Sequence, residues 1–178
     1  MREDADVPEE TVWQGKWITA KRRGRWEYVG RARNIRAAVI LPLDAGDVVL
    51  VEQYRVPLGR SCIELPAGLI GDDSEGEDPL AAARRELVEE TGYEAMEWTD
   101  LGEYFSSPGM VSESFTLLRA RGLTKVGTGG GIGDEEIVVH RLPLSGIADA
   151  IEQFREQGLA IDVKLLMLLG AGFLGERA

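Results

Sequence analysis

Gly71-Asp72-Asp73-Ser74-Glu75-Gly76-Glu77-Asp78-Pro79-Leu80-Ala81-Ala82-Ala83-Arg84-Arg85-Glu86-Leu87-Val88-Glu89-Glu90-Thr91-Gly92-Tyr93 is the stretch on which the reading of this chain turns. Glu86, Glu89 and Glu90 stand at i, i+3 and i+4, so on a helix advancing about 100° per residue their carboxylates share one narrow stripe. Asp78 is placed to cap the helix, Pro79 suits the first helical position, and Gly92 sits where a left-handed residue ends a helix. The pattern predicts a helix from about Pro79 to Thr91. Leu80, Ala83 and Leu87 form an apolar face beside the acidic stripe, so one element serves both core and cleft edge.

The stripe falls in the last turns, where the helix dipole is negative and each carboxylate is disfavoured by roughly 0.3–1 kcal/mol. Like charges at this spacing add to that cost. A hard divalent cation offsets both, because Mg²⁺ is commonly held by a few carboxylates together with substrate phosphates. Taken alone, an E-x-x-E-E run is more often a solvated helix face.

Composition narrows the remaining classes. The 178 residues suit one core, and no composition break divides them. A net charge of −11 argues against a nucleic-acid polymer or an anionic membrane as partner, since phosphate surfaces reward clustered Lys and Arg. Cys62 is the single cysteine, which excludes an intrachain disulfide, and the acidic start Glu3-Asp4-Ala5-Asp6 is unlike a signal peptide; a cytoplasmic setting is the expectation. The apolar run from Leu165 to Leu174 is shorter than the ~20 residues that a bilayer needs and reads as a packed C-terminal helix. His140 is the only histidine and is expected in a strand without catalytic duty.

Trp17 to Thr19 and Trp26 to Val29 read as two strands joined by a basic turn, an N-terminal hairpin. Ala37 to Leu43 and Val48 to Glu52 flank the turn Asp44-Ala45-Gly46-Asp47, and Cys62 to Leu65 resumes strand character. Trp98 to Phe105, Ser114 to Arg119 and Glu136 to Leu142 supply further strands, while Ser145 to Gln157 and Asp162 to Leu169 read as helices. The stretch Gly127-Thr128-Gly129-Gly130-Gly131-Ile132-Gly133 lacks the ending of a phosphate-binding P-loop and is expected to be a flexible loop, a lid or a surface hairpin. Its acidic exit could deliver a base over the site.

The spacing of Gly71, Glu77, Arg85, Glu86, Leu87, Glu89, Glu90 and Gly92 resembles the signature of the Nudix hydrolases. Three further stretches resemble the ADP-ribose and ADP-sugar pyrophosphatase branch: Val51-Glu52-Gln53-Tyr54-Arg55, Ile63-Glu64-Leu65-Pro66-Ala67-Gly68-Leu69-Ile70, and Ser107-Pro108-Gly109 about fifteen residues after Gly92. The chain departs from the pattern between Gly68 and Glu77, where it is longer; Gly71 satisfies the spacing, and Asp72 to Gly76 is expected to be an added exposed loop.

The resemblance implies an α+β fold, the Nudix α/β/α sandwich with a mixed sheet and an N-terminal β-hairpin, residues 1–34 serving dimerisation and base binding and 35–178 the hydrolase domain. It implies metal-dependent hydrolysis of ADP-ribose or related ADP-sugars to AMP and a sugar phosphate, with GDP-mannose or a broad set of nucleotide sugars as the alternative substrates and a non-catalytic ADP-ribose sensor as the alternative class. Mg²⁺, or Mn²⁺, would be held by Glu86 and Glu90 with Glu89 in support and the backbone carbonyl of Ala67. Arg85 would orient the carboxylates by a charge-assisted hydrogen bond, or form a surface ion pair. The general base would be Glu136 ahead of Glu113. Trp17 and Trp26 would sandwich the base or close the hairpin, Arg31 and Arg55 would contact phosphate or ribose, and Pro108 and Gly109 would line the substrate site. The resemblance also implies a homodimer with an exchanged hairpin.

Overall fold

The computed structural model describes residues 2–70, 77–133 and 135–170. Gly71 and the expected loop at 72–76 lie outside the described residues, as does the run 171–174.

Two sheets are present. A small antiparallel sheet has the order β1-β2-β3, with β1 at Glu10–Gln14, β2 at Ile18–Arg23 and β3 at Trp26–Arg31. The large mixed sheet contains β4 (Arg36–Asp44), β5 (Asp47–Arg55), β6 (Arg60–Glu64), β7 (Ala67–Ile70), β8 (Tyr93–Phe105), β9 (Ser114–Lys125), β10 (Val138–Pro143) and β11 (Ala160–Ile161). The helix α1 spans Pro79–Glu86 and continues as a π turn over Leu87–Thr91; α2 spans Ile147–Glu156.

Strand β4 organises the large sheet. It pairs antiparallel with β7 at its start, antiparallel with β5 at its end and parallel with β9 along its length. Alternate side chains therefore enter two different cores. Ala38 and Ile40 pack under α1 with Ala82, Ala83 and Leu87. Val39, Leu41 and Leu43 face α2, meeting Ile147, Ile151 and Phe154. The sandwich follows: α1 on one face, α2 on the other. The alanines at 38, 82 and 83 are fully buried, and their small volume lets the helix axis approach the sheet closely.

Local chemistry explains the edges of these elements. The Asp78 carboxylate accepts from the Ala81 N–H at 3.2 Å, as an N-cap does. Gly92 closes the π turn at φ 69°. The β4–β5 turn has φ values of 50° at Ala45 and 88° at Gly46, the geometry that matches a two-residue hairpin to the twist of its strands.

Several sequence expectations are corrected. The N-terminal hairpin is a three-stranded sheet, because Glu10–Gln14 adds β1, and Trp17 lies before β2 rather than in it. Ala67–Ile70 was read as part of a motif and is strand β7. Strand β10 begins at Val138, not Glu136, whose backbone is left-handed at φ 48°. The C-terminal segment Val163–Leu169 is a 3-10 helix. His140 does lie in a strand, with its Nε2 at 3.1 Å from Glu52. Burial pushes the Cys62 thiol up to about 12, which keeps it protonated and inert. Among the described residues no helix is long and apolar enough to cross a membrane.

Leu87 is fully buried at the junction of α1 and its π turn. Leu87→Ala is expected to cost about 2–5 kcal/mol of folding stability. Urea denaturation followed by fluorescence measures this; a loss below 1 kcal/mol, with the chain still folded, would contradict the packing described.

Candidate active site

A cleft of about 430 Å³ opens where the end of α1 meets β7, β5 and the start of β9. Glu86 and Glu90 line it, together with Ala67, Gly68, Arg31, Arg55 and Glu113. Glu90 is only 6% exposed. Its carboxylate accepts one hydrogen bond, from the Ala67 N–H at 3.1 Å. Burial, with the neighbouring charges of Glu86 and Glu135 adding to it, raises its pKa to about 8 against that bond. Burial likewise lifts Glu86 to about 7, although the Arg85 guanidinium pulls the other way.

Gly68 makes this arrangement possible. A Cβ there would stand 1.9 Å from the Glu86 carboxyl carbon, so any side chain would displace the acid from the cleft.

The acidic stripe is divided. Arg85 donates to Glu86 at 2.8 Å and to Glu89 at 3.1 Å, and lies 3.6 Å from Glu77. Glu89 does not line the cleft. The π turn accounts for this: a turn wider than the α-helix advances each residue by less than about 100°, so Glu89 falls behind the stripe while Glu90 stays near Glu86.

The opposite walls carry cations, each held by a carboxylate of its own. Arg31 donates to Glu113 at 2.6 Å. Arg55 donates to both oxygens of the buried Glu64, at 2.6 and 2.9 Å. Lys164, from the C-terminal 3-10 helix, reaches the cleft with its ammonium 2.6 Å from Asp162. Sequence reading missed Lys164 and Glu64. Glu64 stood in the quoted Ile63-Glu64-Leu65-Pro66 stretch, nine residues after Arg55; the β5–β6 ladder sets it opposite Val51, on the face that Arg55 shares, and the guanidinium reaches back to it.

The glycine-rich segment is not a free loop. It caps the end of the helix: Gly131 N–H donates to the Glu89 carbonyl at 3.0 Å, Gly130 to Glu90 at 2.9 Å, and Val126 and Gly127 to Gly92 at 2.8 and 3.1 Å. These are carbonyls that a helix C-terminus otherwise leaves unmatched. The segment then turns Glu135 into the cleft, its carboxylate accepting from the Ile132 N–H at 2.8 Å. Glu135, not Glu136, is thus the acid facing Glu86 and Glu90; Glu136 is exposed and does not line the cleft.

The aromatic and loop residues gather elsewhere. Trp26, Pro108 and Gly109 line a second pocket of about 560 Å³ with Tyr28 and Phe105. Trp17 lies beyond the far end of the β2–β3 ladder, under Lys16 and Arg33, whereas Trp26 pairs with Arg23. Six residues of strand separate the two ends, about 20 Å, so the two indoles of one chain cannot sandwich a single base.

The donor set fits a divalent cation in part. Gly68 leaves room for Glu86, and Glu90 is held beside it by the Ala67 N–H, so two carboxylates line one wall of the cleft. No group of three or more His, Cys, Asp or Glu side chains is poised around one point among the described residues. A small site completed by substrate oxygens is what Mg²⁺ chemistry uses.

A helix bearing paired acids at a cleft, a glycine floor and a mixed-sheet sandwich between two helices define the architecture of a Nudix domain. The chain belongs to that family: residues 33–150 match the NUDIX domain. It is 45% identical to the methanol dehydrogenase activator of Bacillus methanolicus over 57% of this chain and 53% of that protein. It is 39% identical to the ADP-ribose pyrophosphatase of Bacillus subtilis over 49% of this chain and 45% of that protein. The matches to these two span about half their length. Identity to the GDP-mannose pyrophosphatase of Cronobacter sakazakii is 36%, over 76% of this chain and 71% of that protein. A crystal structure of an ADP compounds hydrolase superposes with a TM-score of 0.69 at 26% identity, over 91% of this chain and 89% of that one.

The raised carboxyl groups make a pH prediction. Between about pH 5 and 8 the folded metal-free chain keeps protons on Glu86 and Glu90 that the unfolded chain has released. Stability therefore falls as pH rises through that window, and Glu90→Gln, which cannot ionise, should flatten the fall. Thermal melts in EDTA across the window would show it; parallel curves for wild type and variant would refute it.

Proposed function

We propose that this chain hydrolyses the diphosphate of ADP-ribose or a related ADP-sugar, releasing AMP and a sugar phosphate. The observation that carries the reading is the pair of half-buried Glu86, set over Gly68, and buried Glu90, held by the Ala67 N–H, faced by Arg31, Arg55 and Lys164 across one cleft. Two acids and three cations around a single cavity suit a polyanion that arrives with a metal ion. Likeness to an ADP-ribose pyrophosphatase and to an ADP compounds hydrolase supports the adenine nucleotide.

Glu86 and Glu90 are the groups that would hold Mg²⁺ or Mn²⁺. The bound cation supplies charge neutralisation of the diphosphate and a lowered pKa for water. Arg85 restrains Glu86 and Glu89, so that Glu86 keeps one orientation toward the cleft. Arg55 and Arg31 contact phosphate or ribose oxygens, and Glu64 fixes the plane of the Arg55 guanidinium. Glu135 takes the proton of the attacking water as the phosphorus–oxygen bond to the leaving group breaks. Its support is position: it comes from the segment locked to the metal helix.

The second pocket is the site we assign to the base, with Trp26 as its stacking face. If Trp17 takes part, it comes from a second copy, which is the arrangement that a homodimer with an exchanged N-terminal sheet provides. The cytoplasmic setting rests on the single buried Cys62. GDP-mannose is the competing substrate, favoured by the pyrophosphatase likeness over 76% of this chain.

AMP release from ADP-ribose, with and without Mg²⁺ and beside GDP-mannose, tests the reading. Metal-dependent AMP release abolished by Glu90→Gln is the expected result; tight ADP-ribose binding without turnover would make the chain a sensor. Glu135→Gln is expected to lower kcat by about 10²-fold or more, while Glu136→Gln stays within a few-fold. The reverse ranking would return the base to Glu136.

A further inference from the structure

The four residues that end the metal-binding helix, Glu89 to Gly92, have every backbone carbonyl occupied by the segment that follows β9. Backbone N–H groups of Gly131, Gly130, Val126 and Gly127 serve Glu89, Glu90 and Gly92. The carbonyl between them, that of Thr91, is served by a side chain: Lys125 Nζ donates to it at 2.7 Å. The same ammonium donates to the Thr128 carbonyl at 3.3 Å and sits 4.5 Å above the Tyr93 ring.

Among the described residues, Lys125 is thus the charged side chain that joins the helix end to the glycine segment. It meets no carboxylate within ion-pair distance among the described residues, so its charge is met by carbonyl dipoles and an aromatic face. The approach is close everywhere around it. A Cβ on Gly92 would lie 2.3 Å from the Gly127 carbonyl oxygen, and one on Gly129 would lie 2.5 Å from the Thr91 carbonyl carbon. Six residues beyond Gly129, Glu135 enters the cleft. On Gly131 a Cβ would collide with the Glu135 side chain at 2.4 Å. The segment is threaded so tightly that the position of Glu135 depends on how the segment is seated on the helix.

We propose that Lys125 is a positioning residue: by clamping the glycine segment to the end of the metal helix, it sets the placement of Glu135 relative to Glu86 and Glu90. The carboxylate that acts on water and the pair that holds the cation are then parts of one rigid unit, with a lysine as its fastener. The proposal rests on the assignment of Glu135 made above and adds the residue through which that assignment is realised. Misplacing a reacting group by about 1 Å can cost 10²-fold in rate, so a clamp remote from substrate has a measurable effect on turnover.

The test combines Lys125→Met and Lys125→Arg with Glu135→Gln in a double-mutant cycle. Lys125→Met is expected to lower kcat for ADP-ribose by about tenfold or more with KM nearly unchanged, and Lys125→Arg to recover most of the loss. In the Glu135→Gln background, Lys125→Met should change kcat less than about twofold, because the group it positions is already silent. Equal losses in both backgrounds would overturn the proposal and leave Lys125 a stabilising residue alone. Amide hydrogen exchange gives a readout free of activity: Lys125→Met should lower the protection of the Gly130 and Gly131 amides at an unchanged melting temperature. If wild type hydrolyses nothing, the functional reading fails, yet unaltered exchange at Gly130 and Gly131 would still be the result that refutes the clamp.

Discussion

Two glutamates, Glu90 buried and Glu86 half-buried against Gly68, share the negative end of a helix, and the surrounding structure is arranged to hold them there. Burial lifts both above the ordinary carboxylate range, with the charges of Glu86 and Glu135 adding to it at Glu90 and those of Glu89 and Glu135 at Glu86. The Ala67 N–H and the Arg85 guanidinium restrain them from opposite sides. The helix that carries them is held by its apolar face, where Ala82, Ala83 and Leu87 interlock with β4. Without that packing, charge alone would turn the helix end outward. The core therefore provides more than stability, since it supplies the force that keeps charged groups in a place they would otherwise leave.

The rest of the cleft follows a different rule. Arg31, Arg55 and Lys164 come from three separate elements, and each is already paired with a carboxylate. Such pairing lowers the entropy that a long cationic side chain would lose on meeting an anion, at the cost of a competing partner. A polyanionic ligand exchanges part of each pair for its own oxygens. The site is thus nearly neutral along its walls within a chain of net charge −11.

Sequence alone made α1 legible because its signals are local: the Asp78 cap, the alanine run and the Gly92 stop each act within one turn. The strands β4, β5 and β9 were legible for the same reason, as apolar runs between strong turns. What the sequence concealed is what depends on distance along the chain. Glu64 meets Arg55 through side chains that share one face of the β5–β6 ladder without standing opposite each other, and Lys164 reaches the cleft from a C-terminal 3-10 helix. Reading Gly127 to Gly133 as a flexible loop used composition correctly but missed its partner, since glycines serve close backbone contact as well as mobility. The preference for Glu136 ahead of Glu113 took no account of Glu135, which lines the cleft with Glu113, whereas Glu136, left-handed at φ 48°, does not. Strand β1 was missed because all five of its residues are exposed and leave no burial pattern to read.

The π turn at Leu87–Thr91 gives the site an unusual relation to chain length. A π turn holds one residue more than the α-helical turn it replaces, so the helix here contains a spare residue just before Gly92. Loss of a single residue within it could be absorbed as an ordinary α-helical turn, with the fold intact and the apolar face still seated. A loss between Glu86 and Glu90 would bring Glu90 to i+3, about 60° round the helix from Glu86, where the π turn holds the two nearly in line. For this helix a deletion is a gentler change to the fold than many substitutions and a harsher one to the chemistry. Descendants of such a chain could keep the whole architecture while losing in one step the reason for which it was built.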